Sequence, residues 1–125
     1  MLLPDERRRR RSQWTGDALH YQLDSVAMRE SLLAIVLADH DGLLVAGSRR
    51  GPDMEELAAV APLVARRERL APGEIASARH LPAAVGMLVF DEKPMYVFAL
   101  GNQEHARAGI AAASHGVRRI LSMPA

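Results

Sequence analysis

Two short apolar runs separated by an acidic turn constrain this chain more than any other stretch. Residues 32–38 read LLAIVLA, residues 43–46 read LLVA, and between them stand Asp39, His40, Asp41 and Gly42. Runs of this length around a turn ending in Asp-Gly form a β-hairpin, because glycine takes the positive φ that such turns require. A second pair follows at 85–90 and 95–100, joined by the polar turn Asp91-Glu92-Lys93-Pro94. Tyr96, Val97 and Phe98 in its second half suit a pleated, half-buried surface. Between the two pairs, residues 74–81 alternate weakly and predict an edge strand.

Three other segments carry a helical period. Leu19, Leu23, Val26 and Ala27 share one face and predict a helix over 16–29, with Thr15 as its N-cap and Trp14 packed on Leu19 as a hydrophobic staple. Asp53 is placed to cap a second helix over 54–67, with Glu55 and Glu56 complementing its positive end. That helix shows two apolar stripes. Leu57, Val60 and Val64 form a bulky one suited to a sheet, and Ala58, Ala61 and Ala65 form a small one that lets a second backbone approach. Alanine's helix propensity is an equal alternative account of the small stripe. Pro62 costs a backbone hydrogen bond and predicts a kink or local loosening. Asn102 caps a third helix, in which Ala106, Ile110, Ala113, Val117 and Leu121 share a face, and Pro124 cannot extend it.

The order is therefore α-β-β-α-β-β-β-α. It predicts an α/β fold, an α+β sandwich in which a mainly antiparallel five-stranded sheet is flanked by three helices. Residues 14–125 are expected to form one domain, and residues 1–13, polar and without apolar period, a disordered arginine-rich arm.

The arm holds Arg7, Arg8, Arg9, Arg10 and Arg11 in an unbroken run. The chain has 16 basic and 15 acidic residues; without the run 11 basic residues face the same 15, a formal charge of −4. A mildly acidic body argues against a nucleic-acid-binding surface. The run reads as a solvated, solubilising tail, with contact to an anionic surface as the alternative.

Catalytic patterns are missing from the sequence. There is no cysteine, so thiolate chemistry and disulfides are excluded. The single lysine, Lys93, stands in a turn before proline, so no phosphate-binding loop exists and the chain is not itself a nucleotide hydrolase of that kind. Asp39 and Asp41 echo part of a calcium loop, but the bidentate glutamate is absent, and a turn role is favoured. His20, His40, His80, His105 and His115 include no pair at helical metal-ligand spacing. The expectation is a non-enzyme without metal or cofactor. The apolar runs are too short to cross a bilayer, and the first residues lack a signal core, so a cytoplasmic location is expected.

The element order resembles the roadblock/dynein light chain family. Two stretches carry the likeness: residues 32–62, LLAIVLADHDGLLVAGSRRGPDMEELAAVAP, and residues 85–121, where a hairpin runs into Gly101 and then an Ala/Gly-rich helix ending GVRRIL. The resemblance implies a homodimer in which the edge strand at 74–81 joins two sheets and the second helices pair across the dyad. It places Leu57, Ala58, Ala61, Ala65, Ile75, Ser77 and Arg79 at that interface. It further implies a small Ras-like GTPase as partner, with the chain acting as scaffold or GTPase-activating protein of the short, single-domain bacterial kind. The contacts it transfers are Glu55, Ala58, Ala61, Pro62, Ala65 and Arg66. A small-ligand sensor with an apolar cavity lined by Met87, Tyr96 and Phe98 is the alternative reading.

Overall fold

The computed structural model describes residues 4–48, 53–66 and 83–123, with side chains from residue 13. Among these residues three helices and four strands follow the order α1 (Pro4–Arg29), β1 (Ala34–Ala38), β2 (Leu44–Gly47), α2 (Met54–Ala65), β3 (Ala83–Phe90), β4 (Lys93–Leu100) and α3 (Gln103–Leu121). The strands make one antiparallel sheet in the order β2-β1-β4-β3. The edge strand expected at 74–81 lies outside the described residues.

Both hairpins form, and each turn is built locally. In the first, the Asp39 carboxylate accepts from the backbone N–H groups of Asp41 and Leu43 at 2.8 and 3.0 Å, and Gly42 takes a φ of +80°. The second turn is tighter than the four residues expected. Only Asp91 and Glu92 stand in it, with φ of 55° and 66°, the double left-handed geometry that matches strand twist. Lys93 and Pro94 therefore belong to β4. Pro94 is tolerated because Phe90 and Lys93 close the turn, so in the alternating ladder the nitrogen of Pro94 points away from β3. On that other side the pairing with β1 ends at Tyr96.

The strand alternation sorts side chains onto two faces. On one, the rows Ala34–Leu100–Ala83 and Val36–Phe98–Val85 cross β1, β4 and β3 beneath α2. On the other, Ile35, Leu37, Val97, Ala99 and Leu88 meet Leu19, Leu23 and Val26 of α1 and Ala106, Ala113 and Val117 of α3. Small residues let the two helices approach: a Cβ on Gly116 would overlap the side chain of Gln22 on α1.

α1 starts earlier than its apolar period indicated. It begins at Pro4 and not near residue 16, so residues 4–13, expected as an arm, are helical. Proline favours the first helical position, and arginine propagates a helix nearly as well as alanine. Trp14 consequently sits inside the helix, 54% exposed, and is no staple for Leu19. The other end closes through Ser31, whose φ is +54°. Leu32 N–H reaches Ala27 O at 2.8 Å and Ser31 N–H reaches Met28 O at 3.3 Å, the paired bonds that finish a helix before a chain reversal. Leu32 then packs on the core beside Ala27.

Asp53 caps α2 as expected, its carboxylate accepting from Glu55 and Glu56 N–H at 3.0 and 3.2 Å. Asp53→Ala is expected to cost about 1 kcal/mol, read as a lower urea midpoint with an unchanged slope. α2 continues through Pro62 and ends where Arg66 N–H bonds to Pro62 O.

Candidate interaction surface

α2 is the helix on which the sequence placed a partner surface. The structure divides its residues differently. Leu57, Ala58 and Ala61 have no solvent exposure and pack with Val36, Tyr96, Phe98 and Leu100, and Pro62 is buried as well. The small stripe is thus part of the helix's own core contact and is closed to a partner. Leu57, Ala58, Ala61 and Pro62, which the resemblance placed at dimer or partner contacts, are thus buried within the single chain. Ala65 is half-buried against the same cluster, while Glu55 and Arg66 are exposed and remain available. Ile75, Ser77 and Arg79 lie outside the described residues.

The physical reason is the width of the apolar arc. Met54, Leu57, Ala58, Ala61, Val64 and Ala65 occupy one continuous side of a 3.6-residue helix, and the two stripes are its flanks. Small residues at its centre bring the helix close to the sheet. The opposite side carries Glu55, Ala59, Leu63 and Arg66, of which Ala59 is exposed and Leu63 half-buried. Leu63 was the overlooked signal, a large apolar residue out of phase with both stripes.

β3 extends this surface. Among the described residues it is an edge of the sheet, with β4 on one side only. Val85, Met87 and Val89 point to the α2 side, and Met87 and Val89 are 60% and 53% exposed. An open strand edge beside exposed apolar side chains is a template for association. Met87, which the sensor reading placed in a cavity with Tyr96 and Phe98, stands at this border. Tyr96 and Phe98 are packed under α2. A cleft of about 320 Å³ exists elsewhere, between the start of β3 and α3, lined by Ala83, Ala84, Val85, Gln103, Arg107 and Ile110.

The polar groups serve structure. Asp39, His40 and Asp41 bring ligand atoms within 4.8 Å of one another, but one Asp39 oxygen is committed to the backbone of its own turn. His20 Nδ1 lies 2.8 Å from Gly47 O and ties α1 to β2, and His105 stands 3.7 Å from Glu30. Ser48, buried, accepts Ile35 N–H at 3.1 Å. Among the described residues no buried side-chain polar atom lacks a hydrogen-bond partner. No helix among them is long and apolar enough to cross a membrane.

Comparison with known proteins finds the architecture in solved structures. No family model matches the chain, and no curated protein matches it either. Myxococcus xanthus MglB superposes with a TM-score of 0.56 at 13% identity, over 84% of this chain and 88% of that one. The gliding protein MglB from Thermus thermophilus gives 0.54 at 16% identity, over 85% and 90%. An MglB structure described as a tetrameric arrangement gives 0.57 at 13% identity, over 85% and 89%. The MglB proteins have the roadblock architecture, so the resemblance stated from the sequence holds at the level of fold.

Proposed function

We propose that this chain is a non-catalytic, homodimeric regulator or scaffold that binds a small Ras-like GTPase. The observation that carries the reading is the combination of an MglB-like fold with an apolar-bordered β3 that is an edge of the sheet among the described residues. Two further features support it. Among the described residues the buried side-chain polar atoms all have hydrogen-bond partners within the fold. The outer side of α2 presents Glu55, Ala59, Leu63 and Arg66, a mixed polar and apolar strip of the kind a protein partner covers.

In this reading the dimer forms through the β3 side of the sheet, with residues 74–81 supplying the joining strand. The GTPase meets the α2 side. Acceleration of hydrolysis, where it occurs, would come from rearranging the GTPase's own catalytic groups.

Light scattering of the purified chain should give a dimer mass. Met87→Glu is expected to reduce it to a monomer with an unchanged far-UV spectrum, because Met87 is largely exposed in the single chain. Co-elution with a Ras-like GTPase should depend on whether the di- or triphosphate is bound. Equal failure to bind in both nucleotide states, by a chain that remains dimeric, would overturn the partner and leave the dimer standing.

A further inference from the structure

α1 has an outer face that neither the core nor the α2 surface uses. Trp14, Tyr21 and Met28 recur every seven residues and are 54%, 74% and 77% exposed. A repeat of seven drifts only about 20° on a straight helix, so the three form one stripe. It lies opposite Leu19, Leu23 and Val26, which hold α1 on the sheet. The same helix continues without a break through the run of five arginines at 7–11. The helix spans 26 residues, about 39 Å, and among its described side chains, which start at residue 13, packing on the hydrophobic core begins at Ala18.

We propose that α1 is a peripheral anchor for an anionic lipid bilayer, with its arginine run at the phosphate level and Trp14, Tyr21 and Met28 lying in the headgroup boundary. Charge and apolar signals combine here. Arginine near a negatively charged leaflet is attracted electrostatically, tryptophan and tyrosine prefer the bilayer interface, and stable peripheral binding takes two such signals together. Asp17 and Asp24 stand three positions beyond Trp14 and Tyr21 and edge the stripe. Asp5 and Glu6 offset two of the five arginine charges, and the remaining net +3 over residues 5–11 places the attraction at the N-terminal half, with Trp14, three positions after the run, as the deepest residue.

Pairing with a second copy of α1 fits less well. A coiled coil needs apolar residues at two positions per heptad, and the intervening positions here are Asp17, Ala18, Asp24 and Ser25. Nucleic acid would use the arginines and leave Tyr21 and Met28 exposed. The anchor face and the α2 surface lie on opposite sides of the sheet, so this inference does not depend on the GTPase reading.

Trp14 is the chain's single tryptophan and reports directly on its own environment. The full chain is mixed with vesicles of two parts phosphatidylcholine to one part phosphatidylglycerol, or of phosphatidylcholine alone. Co-sedimentation and a blue shift of Trp14 emission are expected with the anionic vesicles only, declining as salt is raised. Arg7→Gln, Arg10→Gln and Arg11→Gln together, seven, four and three positions before Trp14 on the same helix, should lower the partition coefficient about a hundredfold. Tyr21→Ser with Met28→Ser should lower it about tenfold, with the far-UV spectrum unchanged in both variants. Unshifted Trp14 emission, tighter binding to a DNA duplex than to vesicles, or a stripe variant that alters only the oligomer mass would overturn the proposal.

Discussion

Ala61→Asp is expected to leave little or no folded protein. The methyl group of Ala61 has no solvent exposure and sits in the cluster formed by Val36, Tyr96, Phe98 and Leu100 beneath α2. An aspartate there is a buried charge without a partner. Uncompensated buried charges cost about 3–5 kcal/mol, and the overlap of the larger side chain adds about 1–3 kcal/mol. A domain of this kind has about 5–15 kcal/mol in all. Ala59→Asp, two positions earlier on the exposed side, should cost only about 0.7 kcal/mol through helix propensity. Urea unfolding followed by far-UV circular dichroism separates the two. Equal midpoints would mean that α2 is rotated from the orientation described above.

Gly42→Val should produce the next largest loss. Gly42 takes φ +80° in the β1–β2 turn, and a Cβ there would meet Ala59 O at 3.1 Å and Ala59 Cα at 3.2 Å. Both atoms are helix backbone and cannot swing aside. The left-handed conformation costs a non-glycine residue about 1–3 kcal/mol, and crowding against α2 brings the total to about 3 kcal/mol. Thermal denaturation should show a melting temperature lower by roughly 10 °C. Gly16 is the internal contrast. It lies in α1 with nothing within 4 Å of a built Cβ, so Gly16→Ala should stabilise the chain by about 0.5–1 kcal/mol. A Gly42 variant that melts with the wild type would remove the close contact between turn and helix.

Periodicity was a reliable guide wherever one period dominated a segment. The α3 face from Ala106 to Val117, the Asp53 and Asn102 caps, and the strand pairs flanking Asp41-Gly42 and Asp91-Glu92 all appear in the structure. It misled where two patterns overlapped. On α2, alanines and valines alternate so closely that one broad buried arc reads as two stripes, and the arc's direction depends on the sheet below it. The start of α1 was illegible for another reason. Ten residues without apolar period can still be helical when their propensity is high and the helix is anchored further along. The sequence therefore did not separate the buried side of α2 from its exposed side, and the exposure of Met87 and Val89 on β3 became visible only in the structure.

The strand order has a consequence in time as well as in space. Each hairpin closes over a turn of a few residues, an event of microseconds. The central pairing of β1 with β4, by contrast, joins residues roughly sixty positions apart. Neither hairpin has a complete hydrophobic face until that junction is made, because Ile35 and Leu37 on one and Val97 and Ala99 on the other share a single core. That long-range pairing is expected to be the slow step on the way to the native state. Until then the inner edges of β1 and β4 are as open as that of β3, and protein concentration during refolding decides whether they find each other or a neighbouring molecule.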